Sequence, residues 1–286
     1  MHAFLTPAKS NPSEHGPRIM TSKGAIAGMT DLWNEVVRGW LDGDSPWRAD
    51  LLPWVDAYEG TGLKAHVAEA LPEPWFGPLD RVPRVAFLAL NPGRAWMGDG
   101  LWAGRYPMPD MQSRHGKFAE QIRSAGCYSD WARVMPWTEW APAPATFWDA
   151  RLRFSQNWLE DQTLGWGDLL NVELYPWHSH QFGRLRLEAD ALALVDRYVL
   201  RPLEELRPSW IFAFGAAWFE VLRVLGFSPE RVLSSRRGDT WANMPKDREV
   251  IRFRRDELRV IAERHKGSAA PPKASELQVL KQHFAE

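Results

Sequence analysis

Residues 85–90, Val-Ala-Phe-Leu-Ala-Leu, form an unbroken apolar run that stops at Asn91-Pro92-Gly93. A short run without polar alternation predicts a strand covered on both faces, as inside a parallel sheet with helices on either side. Three later segments fit the same frame: residues 168–174 end at Tyr175-Pro176, 210–214 at Gly215, and 258–262 at Glu263-Arg264-His265. Between them lie helical patterns over about 188–206 and 216–225, the second stopped by Gly226. Strands alternating with helices predict an α/β chain, a three-layer α/β/α domain on a central, mostly parallel four-stranded sheet.

Upstream, a helix is expected from a Thr30 or Asp31 cap to Leu41, with Leu32, Val36, Val37 and Trp40 on one face. Another is expected over 62–71 and a third over 118–125, while 94–111 reads as an irregular loop and 129–150 follows no period. Residues 1–29 are expected to be a disordered tail, with Met20 and Met29 as alternative starts, leaving 30–286 as one domain. With 45% hydrophobic and 25% charged residues, the 286-residue chain can bury a sizeable core. Nothing approaches the roughly 20 apolar residues of a membrane span. The single cysteine, Cys127, rules out a disulfide or a cysteine-built metal centre within the chain and points to the cytoplasm. Of the seventeen tryptophans, Trp33, Trp40, Trp47 and Trp54 recur every seven residues, but Gly43, Ser45 and Pro46 break that stretch. Packing in a core is the expected role of these rings.

Sites in open parallel sheets form outside the carboxyl ends of the strands. Here those ends carry Asn91-Pro92-Gly93, then Asn171 with Tyr175, His178 and His180 beyond it, and then His265-Lys266-Gly267-Ser268. Each segment alone reads as turn punctuation. Together they resemble the uracil-DNA glycosylase superfamily. Leu-Asn-Pro-Gly at 90–93 is similar to the first motif of its mismatch-specific and single-strand-selective branches. Leu-Leu-Asn-Val at 169–172 resembles the strand whose asparagine reads the pyrimidine edge. His-Lys-Gly-Ser at 265–268 is similar to the family's His-Pro-Ser loop, with Lys-Gly in place of Pro. The intervening Arg207-Pro208, apolar strand and Gly215-Ala216-Ala217 fit as well, so the resemblance spans about 84–268.

The resemblance implies a glycosylase that flips a pyrimidine out of DNA and leaves an abasic site, without metal or cofactor. Asn91 would orient the attacking water, with Asp99 and Asp110 as further candidates for activating it. His265 would donate to the base O2 as negative charge develops there. Pro92, Gly93, Asn171 and Ser268 would line the base, and Tyr106 or Trp102 would stack on it. Gly93 stands where the uracil-specific branch carries a tyrosine against C5. That implies tolerance of a larger base, such as a modified cytosine in phage DNA, as well as uracil or mismatched pyrimidines.

The formal net charge of −1 announces no polyanion partner, but residues 231–273 hold twelve Lys/Arg against six Asp/Glu. Arg236, Arg237, Arg254, Arg264 and Lys266 are expected to meet the phosphate backbone of DNA, the protein acting as a monomer. Two rival readings are a metal-dependent hydrolase using His178, His180 and His265, and an inactive nucleic-acid-binding module on the same fold.

Overall fold

The computed structural model describes residues 24–44, 48–61, 71–90, 92, 111–134, 146–178, 181–234, 248–264, 271–272 and 274–285. In chain order the first elements are α1 (Ala25–Leu41), α2 (Leu52–Ala57), β1 (Tyr58–Thr61), β2 (Trp75–Phe76) and β3 (Val85–Ala89). Then come α3 (Met111–Ala125), α4 (Tyr128–Arg133), α5 (Thr146–Leu159), β4 (Leu169–Glu173), β5 (Gln181–Leu185) and α6 (Ala189–Val195). A π-helical turn, Asp196–Leu200, leads into α7 (Arg201–Leu206). The chain closes with β6 (Trp210–Phe214), α8 (Ala216–Val224), β7 (Ser228–Ser234), β8 (Glu249–Arg255), β9 (Leu258–Arg264) and α9 (Ala274–Phe284).

The four expected strands are β3, β4, β6 and β9. They pair parallel, in the spatial order β4-β3-β6-β9. The sheet is nevertheless seven-stranded and mixed, which corrects the expectation of four. Antiparallel β2 extends one edge, and the β7–β8 ribbon extends the other through β8. These added strands cap the otherwise open edges of the parallel core. β1 and β5 form a separate antiparallel ribbon.

Side-chain alternation splits the core into two apolar layers. Ala86, Leu88, Leu170, Val172, Ile211, Ala213, Val260 and Ala262 face the side packed by α1, α2, α4 and α6–α8. Val85, Phe87, Leu169, Phe212, Phe214 and Ile261 face α5 and α9. Helices therefore cover both faces, which explains the unbroken apolar runs. Among the described residues Trp33, Trp54 and Trp177 are buried packing residues that meet edge-on, with ring centres 5.5–6.2 Å apart.

The first helix starts at Ala25, capped by Gly24 rather than by Thr30 or Asp31. Burial of Met29 in the core offsets the cost of Gly28 in the helix, so the expected tail is helical in its last five residues. The helix expected over 62–71 lies outside the described residues except for Leu71, which is not helical. No helix among the described residues is long and apolar enough to cross a membrane.

Candidate functional site

The parallel core has one topological switch. From β3 the chain moves to β4 on one side, then returns across to β6 and β9 on the other. A crevice at such a reversal opens outside the carboxyl end of the shared strand, here β3. The backbone there is held firmly. Leu174 and Tyr175 donate N–H groups to the carbonyls of Ala89 and Leu90 (both 2.9 Å), and the Trp218 indole donates to Ala89 O at 3.0 Å. Gly215 turns β6 directly into α8 with φ +122°, and a Cβ on it would lie 2.6 Å from Leu90 Cδ1. Glycine is required there both for the backbone angle and for the close approach.

Of the described site residues Pro92 and Arg264 lie on this edge, while Asn171 stands opposite Phe87 in the middle of its strand and Arg254 lies elsewhere. Pro92 follows β3, Asn171 lies within β4, and Arg264 ends β9. Arg254 pairs with Arg259 near the start of β9, at the opposite end of the sheet. Asn91, Gly93, Asp99, Trp102, Tyr106, Asp110, Arg236, Arg237, His265, Lys266 and Ser268 lie outside the described residues.

Asn171 is 1% exposed and belongs to a polar cluster that the sequence reading missed. Its Oδ1 accepts from Arg151 Nη1, and its Nδ2 donates to Glu173 Oε1 at 2.8 Å. Arg151 comes from α5 and is itself buried, its guanidinium 5.2 Å from the centre of the Phe87 ring and 5.5 Å from that of Trp148. Burial pulls the Arg151 pKa down to about 10, with the Glu173 carboxylate opposing the shift. Burial likewise pushes Glu173 up to about 7, against the pull of Arg151 and of the Asn171 hydrogen bond, while Glu73 adds to the rise. Both shifts have the same origin, the loss of water around a charge. Next to this cluster His178 Nε2 lies 3.3 Å from Glu73 Oε1, both side chains buried. A signal for Arg151 existed in the sequence: residues 151, 154, 155 and 158 make one buried helical face, and its first member is an arginine.

A second buried group closes the far side of the same edge. Arg248 contacts Glu263, at the end of β9, and Glu276 of α9. Burial raises Glu263 to about 7, opposed by Arg248 and assisted by Glu276. Pairing Ala89 with Glu173 and Phe214 with Glu263 puts the two acids on one face, three strand spacings or about 14 Å apart. That exceeds the separation over which two carboxyl groups share one glycosidic bond as acid and base.

Among the described residues of 231–273, most arginines meet acids outside that window. Glu230 pairs with Arg252, Arg254 and Arg259, and Arg255 reaches Asp196 and Glu204. Two pockets among the described residues, of about 420 Å³ beside Arg207 and Asp256 and about 220 Å³ beside Arg38 and Cys127, contain none of the motif residues. Among the described residues no three His, Cys, Asp or Glu side chains are grouped to hold a metal ion. His180 and His265, which the hydrolase reading needs, lie outside the described residues. No family model matches the chain, and no curated protein matches it significantly.

Proposed function

We propose that this protein is a DNA glycosylase on a uracil-DNA glycosylase-like three-layer fold, releasing a pyrimidine from DNA. One observation carries the reading. The strands leading into the first and third motif segments, β3 and β9, end on one edge of a parallel sheet, and the second segment is β4 beside its topological switch. The ends of β3 and β9, far apart in sequence, thus lie on the edge where α/β folds bind ligands.

In the proposed reaction the C1′–N1 bond breaks with its electron pair leaving on the base. Water then supplies oxygen to C1′ and a proton to the departing base. Asn91 orients that water; a neutral amide is a poor base, which suits bond cleavage that runs ahead of attack. His265 donates to O2 of the base, where the negative charge gathers. Asn171 meets the pyrimidine edge, and Tyr106 or Trp102 stacks on the ring. Arg264 and Lys266 meet phosphates beside the cleaved nucleotide, with Arg236 and Arg237 further along the strand.

The test is incubation with oligonucleotides carrying different pyrimidines, followed by alkaline cleavage at abasic sites. Asn91→Ala is expected to lower single-turnover release by about 10²-fold or more, on the scale of losing one preorganised polar group, while DNA binding persists. Absence of abasic sites with every pyrimidine would refute the reading. Wild-type rates in a folded Asn91→Ala protein would remove Asn91 from its role.

A further inference from the structure

The first turn of α9 is held to the sheet by one buried cation set between two acids. Arg248, just before β8, contacts both Glu263 of β9 and Glu276 of α9. Glu263 is 3% exposed, and its Oε2 has no hydrogen-bond partner among the described residues. β6 and β8 face this group with Phe214 and Val250, both apolar. Glu249 and Arg264, the next residues on their strands, fall on the other face by alternation. Glu160 of α5 pairs with Lys281, more than a turn beyond Glu276. Among the described residues the group thus carries one positive and two negative charges once Glu263 ionises. A buried carboxylate with one oxygen unmatched is costly, so the docked helix favours the protonated acid.

We propose that α9 is a pH-sensitive latch: when Glu263 gives its proton to water the helix releases from the sheet, with Arg248 as the catch. Release carries Glu276 into water, leaves Arg248 to Glu263 alone and lets solvent reach the unmatched oxygen. The buried excess of negative charge is thereby relieved. An apolar stripe opposes release, with Leu277, Leu280 and Phe284 all buried against the sheet. Arg231 and Arg252 also hold the carbonyls of His283 and Phe284 at the helix end. The released helix is therefore a minor state that recloses, a local opening rather than a second fold. Residues 265–273 are the chain between β9 and α9, so the segment carrying the third motif loses its far anchor whenever the helix lets go. The latch itself holds whether or not the glycosylase reading does.

Docked, Glu263 keeps its proton up to about pH 7, and released it loses the proton near the ordinary carboxyl value. Opening therefore frees one proton between these limits. Its equilibrium constant should rise about tenfold per pH unit up to about pH 7 and then level off. Hydrogen exchange of the full chain, resolved by segment and corrected for the intrinsic rate, measures this at pH 5, 6, 7 and 8, with and without dilute urea. Amides of α9 should open by a route nearly insensitive to urea, because release exposes little surface, while those of β3 and β6 follow global unfolding. From pH 5 to pH 7 the α9 opening should grow about a hundredfold. Glu263→Gln should hold it constant across the series. If that variant does not fold, Glu276→Gln takes its place: it removes the second acid and should make the rise smaller. A flat α9 opening in wild type overturns the latch, as do α9 amides that share the urea dependence of β3. A wild-type rise in either variant overturns it too.

Discussion

Replacing Arg248 by methionine should destabilise the fold by an amount that depends on pH. Arg248 is 4% exposed, and its partner Glu263 is 3% exposed with a pKa raised to about 7. A carboxyl raised in this way favours folding at low pH. That contribution fades as pH climbs from the ordinary carboxyl value through about 7, because the folded protein must then ionise a buried acid. At pH 6 Glu263 is mostly protonated in both proteins, and Arg248→Met loses hydrogen bonds worth about 1–2 kcal/mol. Without Arg248 the pKa of Glu263 rises further. Above the wild-type value the variant then loses a further 1.4 kcal/mol or so per pH unit relative to wild type. At pH 8 the difference should reach about 3 kcal/mol, in line with breaking a buried ion pair from one side. Glu276 loses the same partner but reaches solvent more easily, its side chain being 15% exposed. Urea unfolding of wild type, Arg248→Met and Arg248→Met/Glu263→Gln at pH 6 and pH 8 reads this directly. The pH-dependent part should vanish in the double variant. An equal cost of Arg248→Met at both pH values would refute the assignment to Glu263.

Gly93→Tyr should abolish release of hydroxymethylated or glucosylated cytosine while sparing any release of uracil, because a side chain there would overlap a C5 substituent. Release of uracil alone, unchanged by the substitution, would remove the open-pocket argument. Reversing Arg264 to Glu should flatten the salt dependence of DNA binding by about one phosphate's worth of slope. Arg254→Glu should leave it unchanged, since Arg254 is paired with Glu230 at the far end of the sheet. Equal effects of the two reversals, measured by titrations over a salt series, would place the DNA surface elsewhere.

The parallel core is legible in the sequence because burial on both faces leaves an apolar signature that turn residues then cut. β6 runs over 210–214 as expected, and β3 and β4 differ from their expected spans only at their ends. β2 leaves too short a trace: two residues, set between prolines and Gly77. β8 does alternate, with Val250, Ile251 and Phe253 among arginines, but those arginines read as a phosphate-binding surface. Their partners Glu230, Asp196 and Glu204 fall outside the window in which charge was counted. Local charge becomes visible only when the fold brings distant acids close. The buried Arg151–Asn171–Glu173 cluster was hidden for a related reason. Glu173 ends a strand whose other residues are apolar except Asn171, and its cation Arg151 lies in α5, whose first five residues belong to the stretch with no readable period.

The π-helical turn at Asp196–Leu200 determines which residues of its helix can act together. Pro202, just beyond it, has no N–H to give and clashes with a tight preceding turn, which favours a wider one. A π turn takes in one residue more than an α turn, so residues eight apart stand where residues seven apart would, almost two full turns along one side. Asp196 and Glu204 are such a pair, and both hold Arg255 of β8, at 2.7 and 2.6 Å. The guanidinium also lies 4.5 Å from the centre of the Phe227 ring. The extra residue thus works like a shim: it aligns two acids that a plain helix would aim in different directions. The shim and Arg255 are bound to change together, because neither a helix shortened by one residue nor a β8 without its last arginine would keep this junction between the helical layer and the antiparallel ribbon.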